Sequence, residues 1–216
     1  MFADREDAAR QLATKLRCLA LHNPVVLAIP RGGVVTGSVL ARETGADFDV
    51  VLSRKLRAPY QPELAIGAVG EGGEVYLNHH IDGAVMVDKS YLEAERQRQV
   101  KAIEERQKLF RAGRARIPLT GRSVILTDDG IATGSTMIAA IRVVKAFKPR
   151  ELVVAVPVAP MSQLDEFRGL CDHFICLEAP ANFHAVGQFY ESFETVEDEE
   201  VVRLLQEAAS ATKQPA

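Results

Sequence analysis

Cysteine is scarce in this chain. Cys18, Cys171 and Cys176 are the three present, none stands in a CxxC pair, and an odd count argues against a disulfide framework. That usage suits a reducing, cytoplasmic setting. An excess of positive charge is missing too: 26 Lys and Arg face 29 Asp and Glu, for a formal net charge of −3. Such a balance gives no general attraction to nucleic acid or to an anionic membrane surface. No run approaches the roughly 18 apolar residues of a membrane span. The N-terminus carries Asp4, Arg5, Glu6, Asp7 and Arg10 where a targeting peptide needs an apolar core. Internal repeats and low-complexity tracts are absent. So are two phosphate motifs: there is no G-x-x-x-x-G-K-[ST] and no G-x-G-x-x-G after a strand, so ordinary kinase, nucleotidase and dinucleotide readings fall away. With 216 residues, 47% of them hydrophobic, the chain suffices for the core of one globular domain spanning 1–216.

What is present centres on residues 123–136, SVILTDDGIATGST. Val124, Ile125 and Leu126 suit a buried strand, Asp128 and Asp129 end it, and a small-residue loop leads into a helical pattern. Amides from Ala132 to Thr136, the positive end of the helix dipole and the hydroxyls of Thr133, Ser135 and Thr136 make a cradle for a phosphate monoester. Larger side chains at these positions, Gly134 included, would hold the backbone away from the anion. The two carboxylates could accept hydrogen bonds from a vicinal diol. Together they ask for a ribose 5-phosphate.

Strands and helices alternate along the rest of the chain, which predicts an α/β fold with a parallel sheet covered on both faces and ligands at the carboxyl ends of its strands. Residues 4–21 have helical spacing with Asp4 as a plausible cap. PVVLAI (24–29) reads as the first strand, then Pro30-Arg31-Gly32-Gly33, then a helix over 34–43 stopped by Gly45. The paired glycines suit an anion loop or a tight turn. FDVVL (48–52) is the second strand, with Arg54 and Lys55 at its end. RAPYQPE (57–63) has two prolines and no period, which suits a mobile loop, and residues 65–77 suit a hairpin turning at Gly72-Gly73. His79 and His80 lack a third partner at zinc-like spacing. A short strand is expected at 85–87 and a long polar helix over 90–111. The cluster Arg111, Arg114 and Arg116 lacks interleaved aromatics and suits a solvated face or subunit contact rather than nucleic-acid binding. Strands follow at 151–156 and 174–177, and a closing helix at 196–209. Residues 212–216 read as a disordered tail.

The stretch around Asp128 and Asp129 resembles the phosphoribosyl pyrophosphate signature of type I phosphoribosyltransferases, in which an apolar strand, two acids and a short spacer precede Thr-Gly-Ser-Thr. IPRGG early in the chain and the long polar helix before the signature look most like the uncharacterised bacterial members. The resemblance implies a doubly wound parallel sheet (core about 22–178), a β-hairpin and lid insertion (54–78) and a small hood (about 179–195). By the same likeness Asp128 and Asp129 take the ribose hydroxyls, and Ala132, Thr133, Gly134, Ser135 and Thr136 take the 5-phosphate. Arg31, Gly32 and Gly33, with Arg54 and Lys55, meet the pyrophosphate, and a strained or cis peptide falls at Arg31-Gly32. Arg57 and Tyr60 belong to a lid that shields a sugar cation from water. Phe183 first and Tyr190 second are the rings for stacking on a base, with core packing of the hood as an equal reading.

These likenesses imply transfer of ribose 5-phosphate from phosphoribosyl pyrophosphate to a nitrogen acceptor. Mg²⁺ enters mainly on the ligand and not in a protein cage, and a homodimer is the family expectation. Ala132 stands where enzymes for hypoxanthine or guanine carry an acid, which weighs against a 6-oxopurine acceptor. The alternative is a protein that senses phosphoribosyl pyrophosphate without transferring it. A pyrophosphokinase would need two such domains and an ATP site, and a glutamine-dependent amidotransferase would need an N-terminal cysteine.

Overall fold

The structure, a computed structural model, describes residues 1–77 and 88–211, with the backbone alone at 61–65 and 211. The chain runs α1 (Arg5–Leu16), β1 (Val25–Ala28), α2 (Gly32–Thr44) and β2 (Asp47–Val50). An antiparallel excursion follows, β3 (Ser53–Ala58), β4 (Gln61–Gly70) and β5 (Val75–Leu77), and then the long α3 (Lys89–Arg111). The remainder is β6 (Ser123–Thr127), α4 (Ser135–Ala146), β7 (Glu151–Val158), α5 (Leu164–Leu170), β8 (His173–Glu178) and α6 (Asp198–Ala211).

β1, β2, β6, β7 and β8 form one parallel sheet in the order β2-β1-β6-β7-β8. Alternation along each strand sends successive side chains to opposite layers. Val26, Ala28, Ile125, Val153 and Ala155 join Leu12, Leu16, Leu40 and Leu205 from α1, α2 and α6. Val25, Leu27, Val124, Leu126 and Val154 join Met137, Ile141, Val144 and Phe167 from α4 and α5. Burial on both faces explains why these strands read as continuous apolar runs. At roughly 1.5–3 kcal/mol for each large side chain buried, the two layers carry most of the driving force for folding.

The sheet order matters for function. From β1 the chain moves outward to β2, whereas from β6 it moves the opposite way to β7. The adjoining carboxyl ends of β1 and β6 therefore form a switch point, where loops diverge and leave a crevice.

Several local features follow directly from the residues. Asp4 caps α1 by accepting a hydrogen bond from the Asp7 amide at 2.8 Å. Gly45 ends α2 with a φ of 65°, a left-handed conformation that favours glycine. Asp88 caps α3, its carboxylate accepting from the Ser90 amide.

Four expectations are corrected. The helix after β1 starts at Gly32 rather than Val34, so Gly32 and Gly33 are its first turn and not a separate tight turn. The cis peptide joins Pro30 to Arg31, one residue earlier than expected. RAPYQPE is not a free loop but the end of the β3–β4 ribbon, turning at Pro59-Tyr60. Register shifts after Leu56 and Arg57 take up Ile66 and residues 62–64 respectively. Pro62, which has no N–H to give, thus falls in the irregular part of the pairing.

Arg111 is the fourth correction. It is buried rather than solvated, at 4% exposure. Its guanidinium donates to Asp49 Oδ1 at 3.0 Å, to the Val50 carbonyl at 2.9 Å and to both oxygens of Glu71. Two acids from distant segments make this burial tolerable, and α3 is thereby tied to the end of β2 and to the turn after β4. Arg114 donates to the Leu205 carbonyl at 3.0 Å, and Arg116 lies over the Phe147 ring. His79, His80, the strand expected at 85–87 and the tail 212–216 lie outside the described residues.

Candidate active site

β6 is buried along its whole length, and Thr127 at its end donates to the Ala155 carbonyl at 2.7 Å. Fixing that end fixes what comes next. Asp128 and Asp129 leave the strand half-buried, and the Asp128 carboxylate accepts the Asp129 amide at 2.9 Å. The loop then passes Gly130 and Ile131, whose amide donates to the Val158 carbonyl at 2.8 Å, and reaches Gly134. Gly134 has a φ of 76°, and a Cβ there would come within 2.9 Å of the Phe167 ring. Space and backbone both require glycine. α4 begins at Ser135, and the hydroxyls of Thr133 and Ser135 lie 3.1 Å apart. Ala132, Thr133 and Thr136 are exposed around the first turn of α4, where unpaired amides point outward.

The loop after β1 comes into direct contact with this one. A Cβ on Gly32 would lie 1.9 Å from Asp129 Oδ2, and one on Gly33 would lie 2.7 Å from Asp128 Oδ1. Only hydrogen at these two positions lets the acids settle against the start of α2.

Burial raises the Asp128 carboxyl well above the ordinary carboxylate range, and the neighbouring Asp129 charge adds to the rise. Burial also raises Asp129, opposed by Arg5, which donates from Nε to Asp129 Oδ2 at 2.8 Å. A buried pair of this kind favours holding a proton between its members.

A cavity of about 430 Å³ is walled by Arg31 from the first loop, Arg54, Lys55 and Arg57 from β3, Arg106 from α3 and Thr136 from α4, while Asp128, Asp129, Gly32, Gly33 and residues 132–135 do not border it. Burial lowers the pKa of Arg54, and the nearby Arg106 and Arg57 charges lower it further. A space so lined favours a polyvalent anion. Arg31 meets Glu197 at 3.1 Å and Asp198 at 3.8 Å, and Arg106 meets Asp198 at 4.0 Å. The start of α6 thus supplies counter-charges at the rim.

The remaining expected residues lie elsewhere. Tyr60 is fully exposed at the ribbon tip with a φ of 66°, and it borders a separate surface cleft with Arg57 and Tyr91. Phe183 is half-buried against Phe189, their ring centres 5.3 Å apart. Tyr190 is 6% exposed between Phe2 and Phe193 and donates to the Asp129 carbonyl at 2.6 Å. Burial raises its phenol above the usual range. Of the two readings kept for Tyr190, core packing fits its surroundings: Phe2 and Phe193 lie against the ring, and its hydroxyl ties the segment expected to form the hood to the acid pair. Val186 of that segment lies over Gly130, where a Cβ would come within 2.6 Å of it.

Two residues escaped the sequence reading. Arg5 lies 124 positions before Asp129, in a helix read as packing, and no local pattern links them. Arg106 sits among mixed charges on α3, and its helical phase alone could not say that it faces β3. Gln99 and Ile103, two turns and one before it, also border the cavity.

The crevice combines a carboxylate pair, an amide-rich loop and an arginine-lined cavity on a doubly wound parallel sheet, the architecture of the type I phosphoribosyltransferases. Residues 2–194 match the phosphoribosyl transferase domain family, and the chain belongs to it. It is 44% identical over 208 residues to proteins of Mycobacterium tuberculosis strains CDC 1551 and H37Rv that are provisionally named phosphoribosyl transferases. The match covers 96% of this chain but 47% of those relatives, so the chain spans about half their length. The crystal structure of TT1426 from Thermus thermophilus superposes with a TM-score of 0.89 at 44% identity, covering 95% of this chain and 98% of that one. Among the described residues no helix is long and apolar enough to cross a membrane.

Proposed function

We propose that this protein transfers ribose 5-phosphate from phosphoribosyl pyrophosphate to a nitrogen nucleophile, with a nucleobase as the expected acceptor, and releases pyrophosphate. One observation supports the reading: the acid pair touches the first turn of α2, and the cation-lined cavity is bordered by Arg31, just before that turn, and by Thr136 in the first turn of α4. A ligand with a vicinal diol flanked by a monophosphate and a pyrophosphate has complementary groups in the same order.

In this reading the amides and hydroxyls of residues 132–136 hold the 5-phosphate, and Asp128 and Asp129 accept from the ribose hydroxyls. Arg31, Arg54, Lys55 and Arg106 surround the pyrophosphate, with Gly32 and Gly33 following directly after Arg31 at the start of α2. The bond from the anomeric carbon to pyrophosphate breaks as a bond to nitrogen forms. Positive charge develops on the sugar and negative charge on the leaving group. Fixed cations already in place stabilise the latter without reorganising during the reaction. The carboxylate pair faces the sugar, and whichever member is ionised stabilises the cation. The ribbon carrying Arg57 and Tyr60 would cover the site and keep water from the cation.

Among the described residues no group of three His, Cys, Asp or Glu could hold a metal ion. Mg²⁺ would enter as a companion of the donor rather than in a cage of protein side chains, and it would supply further neutralisation of the leaving group. Phe183, half-buried against Phe189, is the hood-segment ring proposed for stacking on an acceptor.

The test is calorimetric titration of phosphoribosyl pyrophosphate with Mg²⁺, followed by a screen for pyrophosphate release over nucleobases. Binding with release for one base is the expected result. Binding without release for any base would replace transfer by sensing, and no binding would overturn the donor site.

A further inference from the structure

Arg5 is held from three sides. Its Nε donates to Asp129 Oδ2 at 2.8 Å, a terminal nitrogen donates to the Glu194 carbonyl at 2.7 Å, and the guanidinium carbon lies 3.8 Å from the centre of the Phe193 ring. The residue is 9% exposed. It stands at the first position of α1, and the segment just before it is paired with the 189–192 stretch. Phe2 N donates to Phe189 O at 2.8 Å, Glu191 N to Phe2 O at 2.9 Å, and Ser192 N to Ala3 O at 3.0 Å. Fixing the backbone on one side and the guanidinium on the other leaves the donor nitrogen little freedom, so its aim at Asp129 is built in.

The acid pair needs such a partner. Two carboxylates side by side in a half-buried crevice cannot both ionise cheaply. The groups facing Asp129 are Arg5 from α1, Asp128 from its own strand end, the Tyr190 hydroxyl from the 180–194 segment and the N-terminal turn of α2. Of these, Arg5 is the one full positive charge, and it touches Asp129.

Resting on the donor site proposed above, we propose that Arg5 is a positioning residue that fixes the negative charge of the Asp128–Asp129 pair on Asp129 and aims that carboxylate as the acceptor for a ribose hydroxyl. Asp128, without a cation of its own, is then the member that carries the shared proton at moderately acid pH. Arg5 also binds Glu194 and Phe193, so the hood segment and the ribose site are set by the same side chain. The charge opposite the developing sugar cation is thus placed by a side chain of the N-terminal helix.

The direction of the shifts agrees: burial raises both acids, and for Asp129 the contact with Arg5 is the main opposing influence. Removing the cation should therefore raise the pH at which Asp129 ionises.

Two measurements test this on the whole chain. The first is a ¹³C-carboxyl titration of the donor-free protein, comparing wild type with Arg5→Gln and Arg5→Lys. Arg5→Gln should move the Asp129 midpoint up by about one unit or more, while Arg5→Lys should restore most of the wild-type midpoint. The second is the pH profile of phosphoribosyl pyrophosphate binding with Mg²⁺ present. Arg5→Gln should weaken binding about tenfold near neutrality, with the loss shrinking as pH rises and the pair ionises regardless. An unshifted Asp129 midpoint in folded Arg5→Gln would overturn the proposal. So would a uniform loss at every pH with Arg5→Lys no better than Arg5→Gln, the mark of a purely structural contact. If Arg5→Gln fails to fold, the wild type decides: the Arg5 Nε–H resonance should titrate with the Asp129 midpoint, and an Nε–H signal that does not respond to the ionisation of Asp129 overturns the proposal. Failure of wild type to take the donor at any pH would remove the proposed function, while the titration would still decide whether Arg5 controls Asp129.

Discussion

The acidic and basic halves of the crevice are built in opposite ways. The acid half comes from one unbroken stretch, in which a buried strand ends in Asp128 and Asp129 and passes through a glycine-dependent loop into α4. The basic half is gathered from afar: Arg31 follows β1, Arg54, Lys55 and Arg57 belong to β3, and Arg106 comes from the C-terminal half of α3. Chemistry that requires atoms at fixed small separations is met by local backbone geometry, and diffuse charge stabilisation by long side chains from several elements. A short contiguous site should consequently break sharply under single changes, whereas a dispersed one should degrade by increments.

The sharpest expected effect is at Gly32. An added Cβ would lie 1.9 Å from Asp129 Oδ2, and that carboxylate is pinned by Arg5. Overpacking a fixed site costs about 1–3 kcal/mol, so Gly32→Ala should weaken donor binding by up to roughly a hundredfold with the fold retained. Calorimetry with phosphoribosyl pyrophosphate and Mg²⁺ checks it, and wild-type affinity would show that the two loops are not coupled.

Next comes Asp129→Ala. Loss of a charged hydrogen-bond acceptor is worth about 1.5–3 kcal/mol, which corresponds to a ten- to hundredfold loss of donor affinity. Unchanged binding in the folded variant would defeat the assignment of the ribose hydroxyls to this acid.

Asp128→Asn separates binding from stability. Because the folded protein holds the Asp128 proton to a higher pH than the unfolded chain does, stability falls as pH rises from the ordinary carboxylate range through the raised value. An amide cannot ionise, so this fall should be smaller in the variant, leaving it more stable than wild type near neutrality by about 1 kcal/mol while it binds donor less well. Urea melts between about pH 4 and 8 give the comparison. A parallel pH dependence in both proteins would contradict it.

Smallest should be the changes at the dispersed half. Arg106→Gln removes one of several cations at a partly exposed position, so pyrophosphate affinity should drop only about threefold to tenfold, and less at high salt. Asp198→Asn, which frees Arg31 and Arg106 from a shared counter-charge, should strengthen pyrophosphate binding by roughly twofold. A hundredfold loss in Arg106→Gln would erase the contrast between the two halves.

The same contrast explains what could be read beforehand. The strands and the covering of the sheet on both faces follow from short apolar runs punctuated by Gly and Pro, so β1, β6, β7 and the loop at Asp128 were legible from residue type alone, whereas the order of strands in the sheet was not. From sequence, Tyr190 stays open between stacking and core packing because composition reports an aromatic ring but not what lies against it, and here Phe2 packs on it from the far end of the sequence. Arg111 was misassigned because a basic cluster looks solvated until its acids, Asp49 and Glu71, are brought to it by the sheet and the ribbon. RAPYQPE looked like a loop because its prolines mark irregular pairing, and no local rule says that the strand resumes beyond them. Arg5 and Arg106 carried no signal at all: their meaning depends on contacts that form only when the chain is folded.

The buried Arg111 gives the ribbon a root. Its guanidinium joins α3, the end of β2 and the turn after β4, and removing one partner from so buried a cluster costs about 3–5 kcal/mol. That is a large share of the roughly 5–15 kcal/mol that holds a domain together. The ribbon cannot lift from its base without threatening the whole fold, so any movement over the crevice must be flexure of its outer half, as a springboard bends beyond its clamp. The irregular pairing past Leu56 falls in that outer half, and Tyr60 rides at the free end. The ribbon beyond Arg57 can therefore be varied with the fold retained, provided the clamp at Asp49, Glu71 and Arg111 is left whole.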